Sequence, residues 1–231
     1  MSLSEDEIRR SIVDDDPGVC GQFLAAFSRR LNPIVHRAAV VHRSLARFER
    51  LDPSERVKLV YAYLHAALNN VCSSTALMVA GYPLAAGHLM RQYGECVAMA
   101  LLLTDEESGV YEEVVARPIH FRVSGILSRL DDRSQSERLR RSLGFDATAW
   151  RRFKEITTFY HNFSHASVFS LFYHTEHGEH DRIVIGAHFD PSKKPYFRKE
   201  LTVRRSALDS LGDLVRTLYR KLPRGPRTSA A

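Results

Sequence analysis

The chain has 231 residues, of which 44% are hydrophobic, and its formal net charge is +6 with histidine neutral. That apolar content excludes a disordered chain, and the length suffices for one large domain with a real core or a bundle with a small appendage. No run reaches the ~18 apolar residues of a membrane span, because Pro83, His88, Arg91 and Glu95 interrupt the longest candidate. Cys20, Cys72 and Cys96 are too few and too scattered for a disulfide framework, which points to a reducing compartment. The acidic stretch MSLSEDEIRRSIVDDD has no apolar h-region, so the expectation is a cytoplasmic protein without a secretory signal. The basic excess lies mostly in Arg of the second half and favours acidic partners such as nucleic acid.

In chain order, Ser4 and Glu7 have capping-box spacing and predict a short first helix ending near Asp14 to Pro17. A long helical pattern follows from Val19 to Arg50, with apolar positions at Phe23, Leu24, Phe27, Leu31, Val35 and Leu45, and Pro33 is expected to kink or break it. Asp52-Pro53-Ser54-Glu55 restarts a helix, with Asp as cap, Pro at the first position and Glu at the third. That helix is expected to reach about Val79 and to stop at Gly81-Tyr82-Pro83, and the short connector makes it antiparallel to the next. Pro83 to Leu103 is apolar or small almost all the way round, which belongs to the inside of a bundle.

Beyond it, Thr104 with Glu107 caps a short helix ending before Pro118, and Ile119 to Leu130 and Ser134 to Leu143 predict two more. Asp146 then caps DATAWRRFKEITTFYHNFSHAS, where Phe153, Ile156, Tyr160 and Phe163 form one apolar face. Arg182 to Phe189 and Tyr196 to Val203 are rich in β-branched or aromatic residues and predict a small two-stranded hairpin that must lean on the bundle. A last amphipathic helix has Ala207, Leu208, Leu211, Val215, Leu218 and Leu222 on one face and Arg204, Arg205, Arg216 and Arg220 on the other. PRGPRTSAA predicts a disordered tail. The expectation is therefore a mainly α multi-helix bundle, a single domain over 1–222 with a β insertion at about 181–203 and a tail over 223–231.

Two constellations carry candidate chemistry. His88, Arg91, Gln92 and Glu95 fall at i, i+3, i+4 and i+7 on the otherwise apolar central helix. Charges there are expected to find partners on a neighbouring helix or to line a cavity, because Arg placed before Glu is the weaker orientation for pairing within one helix. The plainer alternatives are that Arg91 and Glu95 simply pair with each other, or that the stripe is a structural polar network. The second constellation is His161-Asn162-Phe163-Ser164-His165, whose two rings share a helical face with Lys154 and Thr158, roughly opposite the Phe153 and Ile156 face. One reading makes these functional histidines, and the other leaves them solvated or satisfied in the core.

His161 and His165 also have the spacing of metal ligands, with Glu95 or Glu155 as a third, and His174, His177 and His180 form a further histidine-rich stretch. The residue after His161 is Asn, not the Glu of the zinc-protease pattern, so no metal or other cofactor is expected. There is no Gly-rich phosphate loop and no GxSxG.

The small-residue run followed by MRQYGE, and later YHNFSHAS ahead of a β excursion, resemble helical families related to the HEPN superfamily, over about Leu64 to Phe189. The resemblance implies a HEPN-like bundle, a homodimer, and action on RNA by an Arg and a His set four to six residues apart. Only the His half carries over, to His165 or His161, since no Arg stands at that spacing. On this resemblance His165 moves protons, His161 assists, Arg91 and Glu95 position phosphate and histidine, and His88, Gln92 and Lys154 contact the substrate. The competing expectation is a non-catalytic interaction or ligand-binding module in which the same residues form a structural network.

Overall fold

The computed structural model describes residues 16–51, 54–116, 137–138, 140–141, 147–161, 163, 168–176, 182–184 and 186–223. The expected first helix, the helix over 119–130, most of that over 134–143, the histidines at 165, 177 and 180, and the tail from 224 onward lie outside these residues.

The chain is mainly α-helical. Helix α1 spans Pro17–Leu45, opened by Asp16, whose carboxylate accepts from the Gly18 and Val19 amides, with Pro17 at the first position. Pro33 does not break it. Leu31 and Ile34 are both buried beside that residue, and their packing outweighs the lost backbone bond. Ile34 takes the core position expected of Val35, which is exposed instead. Helix α2, Glu55–Val79, is capped by Ser54, whose hydroxyl accepts from the Val57 amide at 3.4 Å, and the expected cap Asp52 and Pro53 lie outside the described residues.

The turn from α2 into α3, Pro83–Thr104, is closed by two backbone bonds. The Tyr82 N–H donates to Leu77 at 2.8 Å and the Gly81 N–H to Met78 at 3.1 Å, which satisfies two of the last carbonyls of α2. Gly81 has φ +91° there, and a Cβ would stand 2.5 Å from Val19 Cγ1. Helix α3 is central, with every residue from Val97 to Leu103 buried. A short α4, Val110–Ala116, follows a single 3-10 turn at Glu106–Ser108.

Helix α5 spans Ala147–His161 and buries Trp150, Phe153, Ile156 and Tyr160, with Phe163 just beyond, as the periodicity predicts. It packs against α3 by close backbone approach. A Cβ on Gly87 would stand 1.9 Å from the Phe163 ring, and one on Gly94 would stand 2.6 Å from Thr157 Cγ2. The small residues of the central helix are thus the seat of α5.

After α6, Val168–His174, two-residue strands β1, Thr175–Glu176, and β2, Arg182–Ile183, pair antiparallel with Thr175 opposite Ile183. The hairpin expected from Arg182 to Phe189 with Tyr196 to Val203 is not formed. Tyr196 to Val203 is helical, inside α7, Lys194–Lys221. Phe197, Leu201, Leu208, Leu211 and Val215 are buried there, so helical repetition prevails over the aromatic and β-branched content of the segment. Asp190 opens this end, accepting from the Ser192 amide at 2.9 Å. Lys193 is 1% exposed, ion-paired to Asp190 at 3.5 Å, donating to the Thr175 carbonyl and lying 4.9 Å from the Phe172 ring centroid. Helix α7 runs along α1, with Phe23 and Phe197 centroids 4.9 Å apart and Arg37 bonded to Asp209 at 2.5 Å. Among the described residues no helix is long and apolar enough to cross a membrane.

Candidate functional site

The stripe on α3 lies at the surface. His88 and Gln92 are exposed, and Arg91 and Glu95 are half-buried. Arg91 Nε donates to Glu95 Oε1 at 3.2 Å, which corrects the expected partner on a neighbouring helix. Both side chains retain more than a fifth of their exposure, 27% and 22%, so water lowers the cost of the less favourable orientation.

The Gly94–Thr157 and Gly87–Phe163 approaches fix an antiparallel register between α3 and α5. Arg91 therefore falls near the level of the turn holding Tyr160 and His161. Tyr160 points inward and is buried, whereas His161 is exposed. Lys154, Thr158 and His161, at i, i+4 and i+7, lie on the outer side of α5, and Arg91 and Glu95 lie on the outer side of α3. The α3–α5 seam thus brings Arg91 and Glu95 to the same side of the bundle as Lys154, Thr158 and His161.

Along that outer side runs a groove of about 650 Å³. Arg140, Arg151 and Lys154 supply its cations, and Trp150, Thr158 and Phe159 form much of its wall. Glu137 and Glu155 also line it, and Glu137 is paired with Arg140 at 3.0 Å. Lys199 of α7 reaches over Phe159, its ammonium 4.9 Å from the ring centroid. Periodicity had identified Lys154 but not the groove. Arg140 lies outside α5, ahead of its first residue Ala147, and Lys199 lies in a segment expected to be a strand.

A second polar cluster is entirely internal. Arg204 is 0% exposed, although its sequence position had placed it on the polar face of the last helix. Its Nε and Nη2 donate to Ser74 Oγ at 3.2 and 2.9 Å, and Nη1 donates to Tyr160 Oη at 3.1 Å and to Glu200. Ser74 Oγ in turn donates to the Ala86 carbonyl at 2.6 Å. Tyr160 and Tyr173 donate to the two Glu200 oxygens at 2.7 and 3.2 Å. Each guanidinium nitrogen and both carboxylate oxygens have a hydrogen-bond partner, which makes the cluster a strut between α2, α3, α5, α6 and α7. Burial pushes the Tyr160 hydroxyl well above its usual range against the opposing pull of Arg204, and it pushes Tyr173 up as well, so both stay protonated donors. Burial would lower the Arg204 pKa, but the facing Tyr160 and Glu200 more than offset it. The sequence signal was available: Glu200 and Arg204 stand four apart, in the stronger order for an ion pair.

His174 is exposed. Among the described residues no group of three His, Cys, Asp or Glu side chains is placed to hold a metal ion. Cys20, Cys72 and Cys96 are free thiols. In comparison with known proteins, no family model, no curated protein and no solved structure matches this chain.

Proposed function

We propose that this is an RNA-directed helical protein of HEPN-like type, and that its RNA-contacting surface is the outer side of α5. The observation that carries the reading is the groove in which Arg140, Arg151 and Lys154 surround aromatic wall residues. Cations supply the sequence-independent attraction to a phosphate backbone, and aromatic faces accept bases. His165 is the group assigned to move a proton at a scissile phosphate, and His161, one turn beyond Thr158 at the end of the same face, assists it. Arg91, level with that turn, supplies the positive charge for the developing phosphate charge.

The test is RNA binding by fluorescence anisotropy across salt concentrations, beside a cleavage assay. Lys154→Ala and Arg151→Ala are each expected to weaken binding and to reduce the salt slope by about 1. For cleavage, His165→Ala or His161→Ala is expected to lower the rate by roughly 100-fold or more with an unchanged melting transition. No RNA binding at low salt overturns the reading.

The pairing of Arg91 with Glu95 favours a second reading. A guanidinium whose charge is already matched by a carboxylate at 3.2 Å is a weaker phosphate clamp. In that case the protein is a non-catalytic binding module, and salt-dependent RNA binding persists without cleavage.

A further inference from the structure

The groove does not have the form of a continuous phosphate track. Glu137 and Glu155 interrupt its cations, and Arg140 is engaged by Glu137. A duplex presents only phosphates and groove edges to a protein, so it gains little from such a surface. An unpaired base offers its face, and the groove is lined by an aromatic ring, Phe159. Phe159 is half-buried, so its ring is neither lost to the core nor loose in solvent. It is backed by two buried aromatics: the Tyr160 ring meets it at 5.0 Å and 82°, and the Phe163 ring at 5.9 Å. These contacts hold the ring in place before any ligand arrives. On the ring itself sits the Lys199 ammonium, 4.9 Å from the centroid, and Lys154 lines the same groove.

We infer that Phe159 is the stacking platform for one unpaired RNA base, with Lys199 and Lys154 taking the phosphates that flank it. This deepens the RNA-directed reading and rests on it. The base stacks on the part of the ring that faces the groove, and the Lys199 ammonium, already held at the π face, turns to the neighbouring phosphate as the base enters. Sequence preference is weak, because every base has a π face. Strand preference is strong, because only an unpaired base can present it.

Trp150 is the only tryptophan of the chain and lines this groove, so its emission reports occupancy without a label. The wild-type protein is titrated with a short single-stranded RNA, with the same strand made abasic over its central nucleotides, and with the corresponding duplex. The expected result is binding of the intact single strand about tenfold or more tighter than either of the others. Phe159→Leu is expected to bring the affinity for the intact strand down to that for the abasic strand, and to leave the abasic affinity unchanged. Equal affinity for intact and abasic strands overturns the stacking role while leaving an electrostatic RNA surface in place. No binding of any of the three overturns the RNA-directed reading and the platform together. Should Phe159→Leu fail to fold, the intact and abasic strands on the wild-type protein still decide the matter.

Discussion

Arg204 and Ser74, 130 residues apart in sequence, meet through two hydrogen bonds from one guanidinium to one hydroxyl, at 3.2 and 2.9 Å. Glu200 and Tyr160 complete the shell around the charge. Removing only the cation leaves the buried Glu200 carboxylate uncompensated, so Arg204→Met is expected to destabilise by about 3–5 kcal/mol. Arg91→Met breaks a pair that water already screens and is expected to cost about 1 kcal/mol or less. Urea denaturation of the two variants side by side checks the contrast. Equal losses would show that the buried cluster is no strut.

Helix α5 is seated by the absence of side chains on α3. Gly87→Ala drives a methyl into the Phe163 ring, which a Cβ would meet at 1.9 Å, and overpacking of this kind costs about 1–3 kcal/mol. Gly21→Ala is the control: a Cβ there meets nothing within 4 Å, and the exchange within an exposed helix is expected to stabilise by about 0.5–1 kcal/mol. Thermal melts should therefore move in opposite directions for the two variants.

His188 makes stability pH-dependent. Its two ring nitrogens are shut off from solvent without a well-formed hydrogen bond, although the backbone of Gly186 and Tyr173 faces them. Burial lowers its pKa, with Lys193 and His174 adding to the effect. The unfolded chain therefore takes up a proton at a pH where the folded chain does not. The contribution of His188 is full above about pH 6.5, the ordinary histidine value, and is lost progressively as pH falls below it. Denaturation midpoints from pH 7.5 to 5 should decline, and His188→Phe should flatten that decline. An unchanged slope would rule the histidine out as its source.

The three thiols differ in environment. Burial pushes the Cys96 thiol up to about 11, with Glu95 adding to the effect and the Asn70 amide opposing it. The thiolate is the reactive species, so Cys96 should resist iodoacetamide at pH 8 in the folded protein and react readily once unfolded. Peptide mass mapping after a timed exposure reads this directly. Rapid labelling of Cys96 in the native state would contradict the burial.

The helical architecture was legible wherever a single periodicity ran long enough to average over local exceptions. Pro83–Thr104 begins at the expected Pro, and the buried faces of α5 and α7 fall on the expected residues. Sequence reasoning failed where one local signal outvoted the repeat. The aromatic and β-branched content of Tyr196 to Val203 suggested a strand, but Phe197, Leu201 and Arg204 keep helical spacing and turn inward. Charge was misjudged in the same way. Arg91 was expected to seek a partner across the bundle, and Arg204 was expected to face water. Their environments are reversed, because burial of a charge depends on how many donors and acceptors the opposing helices supply, and Ser74, Tyr160 and Tyr173 are remote in sequence.

The strut also sets the order in which the chain becomes safe from aggregation. Translation adds about 5–20 residues per second, so a nascent chain carrying Ser74 waits on the order of ten seconds before Arg204 is made. For most of that interval the α2–α3 hairpin is complete, yet the sides that will meet α7 stay uncovered. The first long helix is in the same position, since Phe23 and Phe27 have their ring partner Phe197 on α7. Early helices of this protein thus leave the ribosome with apolar faces uncovered, and a prematurely ended chain lacking α7 is expected to be cleared by proteolysis instead of accumulating.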